Sequence, residues 1–263
     1  RVDDLRECWS VPTDRLGEHL VDRGARNGVA AHPCDFAGRR EKTEPGHGER
    51  LGGHRRGAVV AVGYRHAVTR LLLVRHGQSE WNALGRWQGS ADPELTELGR
   101  LQALHAANRI GAVDVIIASP LSRALVTAQI ISAQIGVAPV IVEADLAERD
   151  AGEWEGLTRA EIEVEWPGYL GHDKWPPGYE THDRLMDRTR DALDRIESDY
   201  RGAEVLVLTH GGVIGALERD SGLPWERMPN LGARVVIHHG DRIEVAERFV
   251  LVDDDEITIP EQI

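Results

Sequence analysis

The sequence predicts an α/β domain, a three-layer α/β/α sandwich with a central, mostly parallel sheet, and two observations carry that expectation. From about residue 68 onward, short continuous apolar runs such as Leu71-Leu72-Leu73-Val74 alternate with longer stretches of helical periodicity. Three of these runs end abruptly in polar residues: Arg75-His76, Ser119-Pro120 and Thr209-His210. A strand that is apolar at every position is one buried on both faces, as in a parallel sheet covered by helices.

Taken in order, residues 1–67 stand apart. They repeat Gly, Arg and His, as in GRREKTEPGHGERLGGHRRG (38–57), and sustain little periodicity beyond a short helical pattern at 14–23. Such a composition buries too little apolar surface to offset its ordering entropy. The segment is read as a disordered extension, or as an artefact upstream of the true start, and residues 68–263 as the folded domain. The Arg65-His66 pair within it lacks a following glycine and a long buried strand, and is set aside as a decoy.

The 70–75 strand is followed by a helix predicted over 94–111, with Thr96 as its N-cap and Leu98, Leu101, Leu104 and His105 as its inner face. A strand at 113–120 leads into a helix at 121–136 that turns Leu125, Ala128, Ile131 (or Ile130) and Ile135 inward and stops at Gly136. A third strand is expected within 139–148. Residues 149–180 form a Trp-, Pro- and Gly-rich excursion holding one helix at 157–166. A long helix at 182–200, a strand at 203–212, a helix at 213–222 and a hairpin turning at Gly240-Asp241 complete the chain.

Composition narrows the partners. A formal net charge of -13 argues against nucleic acid or an anionic membrane, both of which select basic patches. It leaves room for a small anionic substrate in a locally positive pocket. No run approaches the roughly 20 apolar residues of a membrane span. The start has no basic, apolar, cleavable pattern, so a cytoplasmic location is expected. Cys8 and Cys34 read as incidental thiols, and no cluster has metal-ligand spacing.

If the strands lie side by side, their carboxyl ends bring Arg75, His76, Arg123 and His210 together with Glu148 from the turn at 145–156. Two histidines, two arginines and a carboxyl group form an inventory for phosphoryl transfer. The same residues resemble the histidine phosphatase (phosphoglycerate mutase-like) superfamily. RHGQSEWN (75–82), SPLSRALVTA (119–128), LAERDAGEWEG (146–156) and THGG (209–212) are similar to its signature motifs, in the expected order.

The resemblance implies that His76 is the nucleophile that becomes a phosphohistidine and that Arg75 and Arg123 clamp the phosphate. It implies that His210, protonated or donating, faces His76, and that Glu148 acts as general acid and base. It also puts Asn82, Gln88, Gly89 and Gly211 on the substrate. Glu143, Asp145, Asp150, Glu153 and Glu155 crowd the same turn, and Glu153 or Glu155 is the alternative acid. Trp87, Trp154, Trp166 and Trp175 are read either as a wall against the substrate or as core and lid.

The activity implied is that of a phosphatase acting on a small phosphorylated metabolite without cofactor or metal, with a homodimer left open. A cofactor-dependent mutase is the alternative, and a non-catalytic protein-binding member comes third. Glu148 and His210 lie 62 positions apart, without the long insertion of the mutases, and Lys174 is the only lysine between them. The likeness is strongest to small bacterial phosphatases such as the glucosyl-3-phosphoglycerate phosphatases. Tyr179, where many relatives have glycine, reshapes the entrance and detaches the substrate from any one of them.

Overall fold

The structure, a computed structural model, describes residues 68–172 and 174–260, and the readings made for residues 1–67 lie outside the described residues. The apolar run at Leu71–Val74 is strand β1 (Thr69–Arg75), and six of its seven residues are buried. It pairs in parallel with β4 (Glu204–Thr209) on one side and antiparallel with β5 (Gly232–His238) on the other. With β2 (Val115–Ala118), β3 (Val140–Val142) and β6 (Ile243–Val250) the sheet has the order β3-β2-β4-β1-β5-β6. The first four strands are mutually parallel and the last two form an antiparallel hairpin.

The alternation of side chains along a strand divides the core into two layers. Leu71 and Leu73, with Val205 and Val207, pack against Leu185, Leu193 and Ile196 of α5 (His182–Asp199) and Val213, Ile214 and Leu217 of α6 (Gly211–Asp220). The opposite face is covered by α3 (Ser122–Ile135), which lies on β2, β3 and β4 and carries α2 (Glu97–Ala107) on its flank. Two smaller helices, α1 (Glu80–Ala83) and α4 (Arg159–Glu165), stand in the loops above the sheet, each opened by a capping box. Three layers follow, as the sequence predicts.

One inner face differs from expectation. Leu98, Leu101 and Leu104 are 36%, 49% and 40% exposed, and α2 buries Gly99, Gln102, Ala103, Ala106 and Ala107 instead. His105 also points outward, to Glu256. Close approach decides this. A Cβ on Gly99 would collide with the Gln78 carbonyl, and one on Gly77 with the Gly99 carbonyl. The turn after β1 therefore sits directly on the helix, and only the small-residue face can reach it. The glycine after His76 is needed for that contact.

Two boundaries also move. The third strand stops at Val142, because Glu143 accepts from the Asp145 amide and winds Ala144–Leu146 into a 3-10 turn. Helix α6 starts two residues before its expected first position, so Gly211 and Gly212 form its first turn.

These contacts predict opposite outcomes for neighbouring positions of α2. Gly99→Ala should destabilise the domain by about 1–3 kcal/mol through overpacking. Leu101→Gln should change stability by no more than about 0.5 kcal/mol. Urea unfolding of the two variants checks both.

Candidate active site

The parallel register sets the site. Arg75 is opposite Thr209, and the amide of His76 donates to the Thr209 carbonyl at 3.1 Å. The Ser119 amide donates to the Leu208 carbonyl at 2.9 Å, so the ends of β1, β2 and β4 lie level. The rings of His76 and His210 are 5.2 Å apart and tilted by 60°. Nδ1 of His76 is 2.7 Å from the carbonyl oxygen of Gly77. A carbonyl only accepts, so Nδ1 carries the proton and Nε2 keeps its lone pair. Burial, with Arg123 and Arg75 adding to it, holds the His76 pKa well below the usual histidine value.

Both arginines are buried and both donate to backbone carbonyls. Nη1 of Arg75 donates to Met228 at 2.5 Å. Nη1 and Nη2 of Arg123 donate to Ala91 at 2.7 Å and Gly89 at 2.9 Å. Asp92 reaches Arg123 only at 4.0 Å, and the Nε of each arginine has no hydrogen-bond partner among the described residues. Burial lowers each arginine's pKa to about 10, with Glu148 working in the opposite direction.

His210 is fully buried, with Nε2 2.7 Å from the Ser119 hydroxyl and Nδ1 unpartnered among the described residues. Burial first, then Arg123, His76, Arg75 and Arg188, hold its pKa well below 6.5. A ring held neutral chiefly by burial, and further by the positive charges around it, leaves His210 the donating role of the two that the sequence reading allows.

Glu148 accepts from the Gly212 amide at 3.1 Å and from the Arg149 amide at 2.8 Å. It caps α6, whose N-cap His210 makes no side-chain cap of its own. A side chain at Gly212 would occupy the carboxylate's position. Its neighbours are used elsewhere. Glu143 and Asp145 pair with Arg195, Asp150 accepts from the Gly152 amide, and Glu153 is exposed. Glu155 accepts from the amides of Ser90 and Ala91, and so holds the loop whose carbonyls hold Arg123.

The site opens into a cavity of about 460 Å³ lined by Arg75, Gln88, Gly89, Glu148 and Gly211, among others. His76, Arg123, His210 and Asn82 are buried beneath that lining. Trp87 and Trp175 face the cavity, with Tyr179 stacked on Trp175 at 4.3 Å. Trp154 is fully buried behind them and Trp166 packs against the same cluster. Of the four tryptophans, Trp87 and Trp175 line the cavity, Trp154 is core, and Trp166 is partly buried against it.

Several supporting residues carry no local sequence signal. Asn230 donates to the His76 carbonyl at 3.0 Å and to Asn82 Oδ1 at 3.1 Å. Thr127 accepts from the Gly77 amide at 3.1 Å. Arg188 grips Glu180 with two nitrogens at 2.8 Å and donates to the carbonyls of Asp145, Ala147 and Glu148. It fixes the loop that presents Glu148. Among the described residues no group of three or more His, Cys, Asp or Glu could hold a metal ion, and no helix is long and apolar enough to cross a membrane.

Fold and site together define a class: an α/β/α domain presenting two histidines, two buried arginines and a carboxylate at the ends of its parallel strands. The sequence profile of the histidine phosphatase superfamily (branch 1) matches residues 71–245, and the chain belongs to that superfamily. It is 36% identical over 208 residues to a bifunctional protein of Mycobacterium tuberculosis, covering 75% of this chain and 52% of that protein. The chain thus spans about half the length of the first relatives it matches. A metal-independent phosphoserine phosphatase of Arabidopsis thaliana is 39% identical over 57% of this chain and 67% of its own length. The solved structure of mycobacterial glucosyl-3-phosphoglycerate phosphatase superposes with a TM-score of 0.61 at 31% identity, covering 68% of this chain and 97% of that one.

The two depressed histidines make stability depend on pH. The unfolded chain binds protons near pH 6.5 while folded His76 and His210 do not, so stability is complete above that pH and falls as pH drops below it. Each contributes a loss of about 1.4 kcal/mol per pH unit while only the unfolded form is protonated. Denaturation between pH 7.5 and 5.5 should show stability falling with a slope that steepens towards this value as the unfolded histidines protonate, and His210→Gln should lower the limiting slope by one proton.

Proposed function

We propose that the domain is a phosphomonoesterase that hydrolyses a small phosphorylated metabolite through a phosphohistidine on His76. One observation carries the reading: two buried guanidinium groups act on the paired histidines, and among the described residues their hydrogen bonds go to backbone carbonyls, with Asp92 no nearer to Arg123 than 4.0 Å. Buried unpaired cations are costly unless an anion completes them. A phosphoryl group is an anion that bidentate arginines fit.

In this reading Nε2 of His76 attacks the phosphorus of the bound ester, forming a P–N bond as the P–O bond to the leaving group breaks. The lowered pKa keeps the imidazole neutral and nucleophilic at physiological pH. Arg75 and Arg123 stabilise charge on the non-bridging oxygens, with His210 and Asn82 close to the same group. Glu148 gives its proton to the departing alkoxide. It then takes a proton from the water that attacks the phosphohistidine. The P–N bond breaks, inorganic phosphate leaves and His76 is regenerated. The arginines supply the positive charge that other phosphatases draw from a metal. The relatives named as phosphoserine and glucosyl-3-phosphoglycerate phosphatases support a small metabolite as substrate. We also place the start of the catalytic domain at residue 68.

His76→Ala should reduce p-nitrophenyl phosphate hydrolysis by more than about a thousandfold, with EDTA leaving the parent rate unchanged. Residual activity in the variant would remove His76 from its role. Glu148→Gln should slow alkyl phosphates by about a hundredfold or more but p-nitrophenyl phosphate much less, since a good leaving group needs little protonation. Equal losses on both would move the acid role to another carboxylate. Net isomerisation of 3-phosphoglycerate primed with 2,3-bisphosphoglycerate would favour a mutase over a phosphatase.

A further inference from the structure

The cavity extends well past the phosphate end, and its far end is cationic. On one side runs α6, which turns Gly211, Gly212, Gly215 and Ala216 towards the cavity and then, one turn further, Arg219. From Gly211 to Arg219 is eight residues, about 12 Å at the α-helical rise. That stretch of helix offers almost no side chain. A Cβ at Gly215 would meet nothing within 4 Å, so the space beside it is open. Facing it is the aromatic wall of Trp87, Trp175 and Tyr179.

Arg149 and His182 also line the cavity. Arg149 donates to the Glu180 carbonyl at 3.1 Å and lies over the Tyr179 ring. Of the acidic groups there, Asp220, next to Arg219 in the chain, is held at 2.5 Å by Arg190, and Glu226 on the cavity lining pairs with Arg248 at 3.4 Å. Nδ1 of His182 is buried and has no hydrogen-bond partner among the described residues. Arg149, His182 and Arg219 line the one cavity, and α5, which begins at His182, packs alongside α6, which carries Arg219. Burial, Arg219 and Arg149 push the His182 pKa down, while Asp220 and Asp183 push the other way. Lysine counting missed this end because its cations are arginines.

We propose that Arg219, Arg149 and His182 form a second anion subsite, selecting a phosphomonoester that carries another acidic group, carboxylate or phosphate, at its distal end. The proposal rests on the phosphatase reading above. The phosphate would sit over His76 at the start of α6. The body of the substrate would lie between the glycine face and the aromatic wall, and its second anion would reach Arg219. An ester too short to span that stretch of helix would lose the distal contact.

The test uses the full chain and a series of ω-phosphooxyalkanoates of increasing length, each beside its methyl ester. At the length that reaches Arg219 the acid should exceed its methyl ester in kcat/KM by about tenfold, chiefly through KM, which is the size of one charge-assisted contact. Arg219→Ala should bring that ratio near one, and Arg219→Lys should restore part of it. Matching α,ω-bisphosphates show whether carboxylate or phosphate is preferred at the distal end. A ratio near one at every length in the parent protein, or a ratio that Arg219→Ala leaves intact, overturns the subsite while the phosphatase reading stands. Failure of the parent to hydrolyse any of these esters, p-nitrophenyl phosphate included, overturns both.

Discussion

Two buried positive charges govern this structure. Arg75 and Arg123 are taken out of water, yet among the described residues their hydrogen bonds go to carbonyl dipoles, and Asp92 comes no nearer to Arg123 than 4.0 Å. Carbonyls satisfy hydrogen bonds without cancelling charge, so the field at the strand ends stays positive. That field, added to burial, keeps both histidines neutral. It also explains the surrounding investment in loops. The segment at 88–91 exists to offer carbonyls to Arg123, and Glu155 pins it. The segment at 228–231 offers Met228 to Arg75 and Asn230 to the backbone of His76. Leu231 within it takes a left-handed φ of 52°, a strain that persists because its neighbours are fixed on both sides.

The carboxylate proposed as the acid is held on a different principle. Glu148 stands at the start of α6, where it does the work of a missing cap, and the position is available because Gly212 has no side chain. Arg188 reaches across from α5 and ties together the carbonyls of the turn that carries it. One carboxylate is thereby oriented while five similar ones nearby serve ion pairs, turns or solvent. The selection is made by backbone geometry, since all six are chemically alike.

The cavity has its base on strand ends and its walls on loops. Its base is built from strand termini locked in register, a rigid frame for groups that must hold position. Its walls come from the excursion at 149–180 and the loop after α6, where Tyr179, Trp175 and Trp225 stand. Such loop-borne walls are where members of one fold diverge in what they accept.

Much of this was legible in the sequence. The apolar run of β1, the helices that bracket the sheet and the strand-end motifs are local patterns, and neighbouring residues suffice to encode them. The motif residues Arg75, His76, Arg123, Glu148 and His210 are brought together as the topology requires. What the sequence left open depended on contacts between residues far apart in the chain. It did not show that α2 buries its alanines and exposes its leucines, because that choice belongs to the turn at Gly77 and Gln78 pressing on Gly99. Nor did it show the neutral state of His210, set by burial first and then by charges from other elements, or the contacts of Asn230 and Arg188. The run Leu71 to His76 thus determined where a site would be. The packing around it decided which groups are charged, which carboxylate faces the cavity and how far the cavity reaches, because burial and distance exist only once the chain has folded.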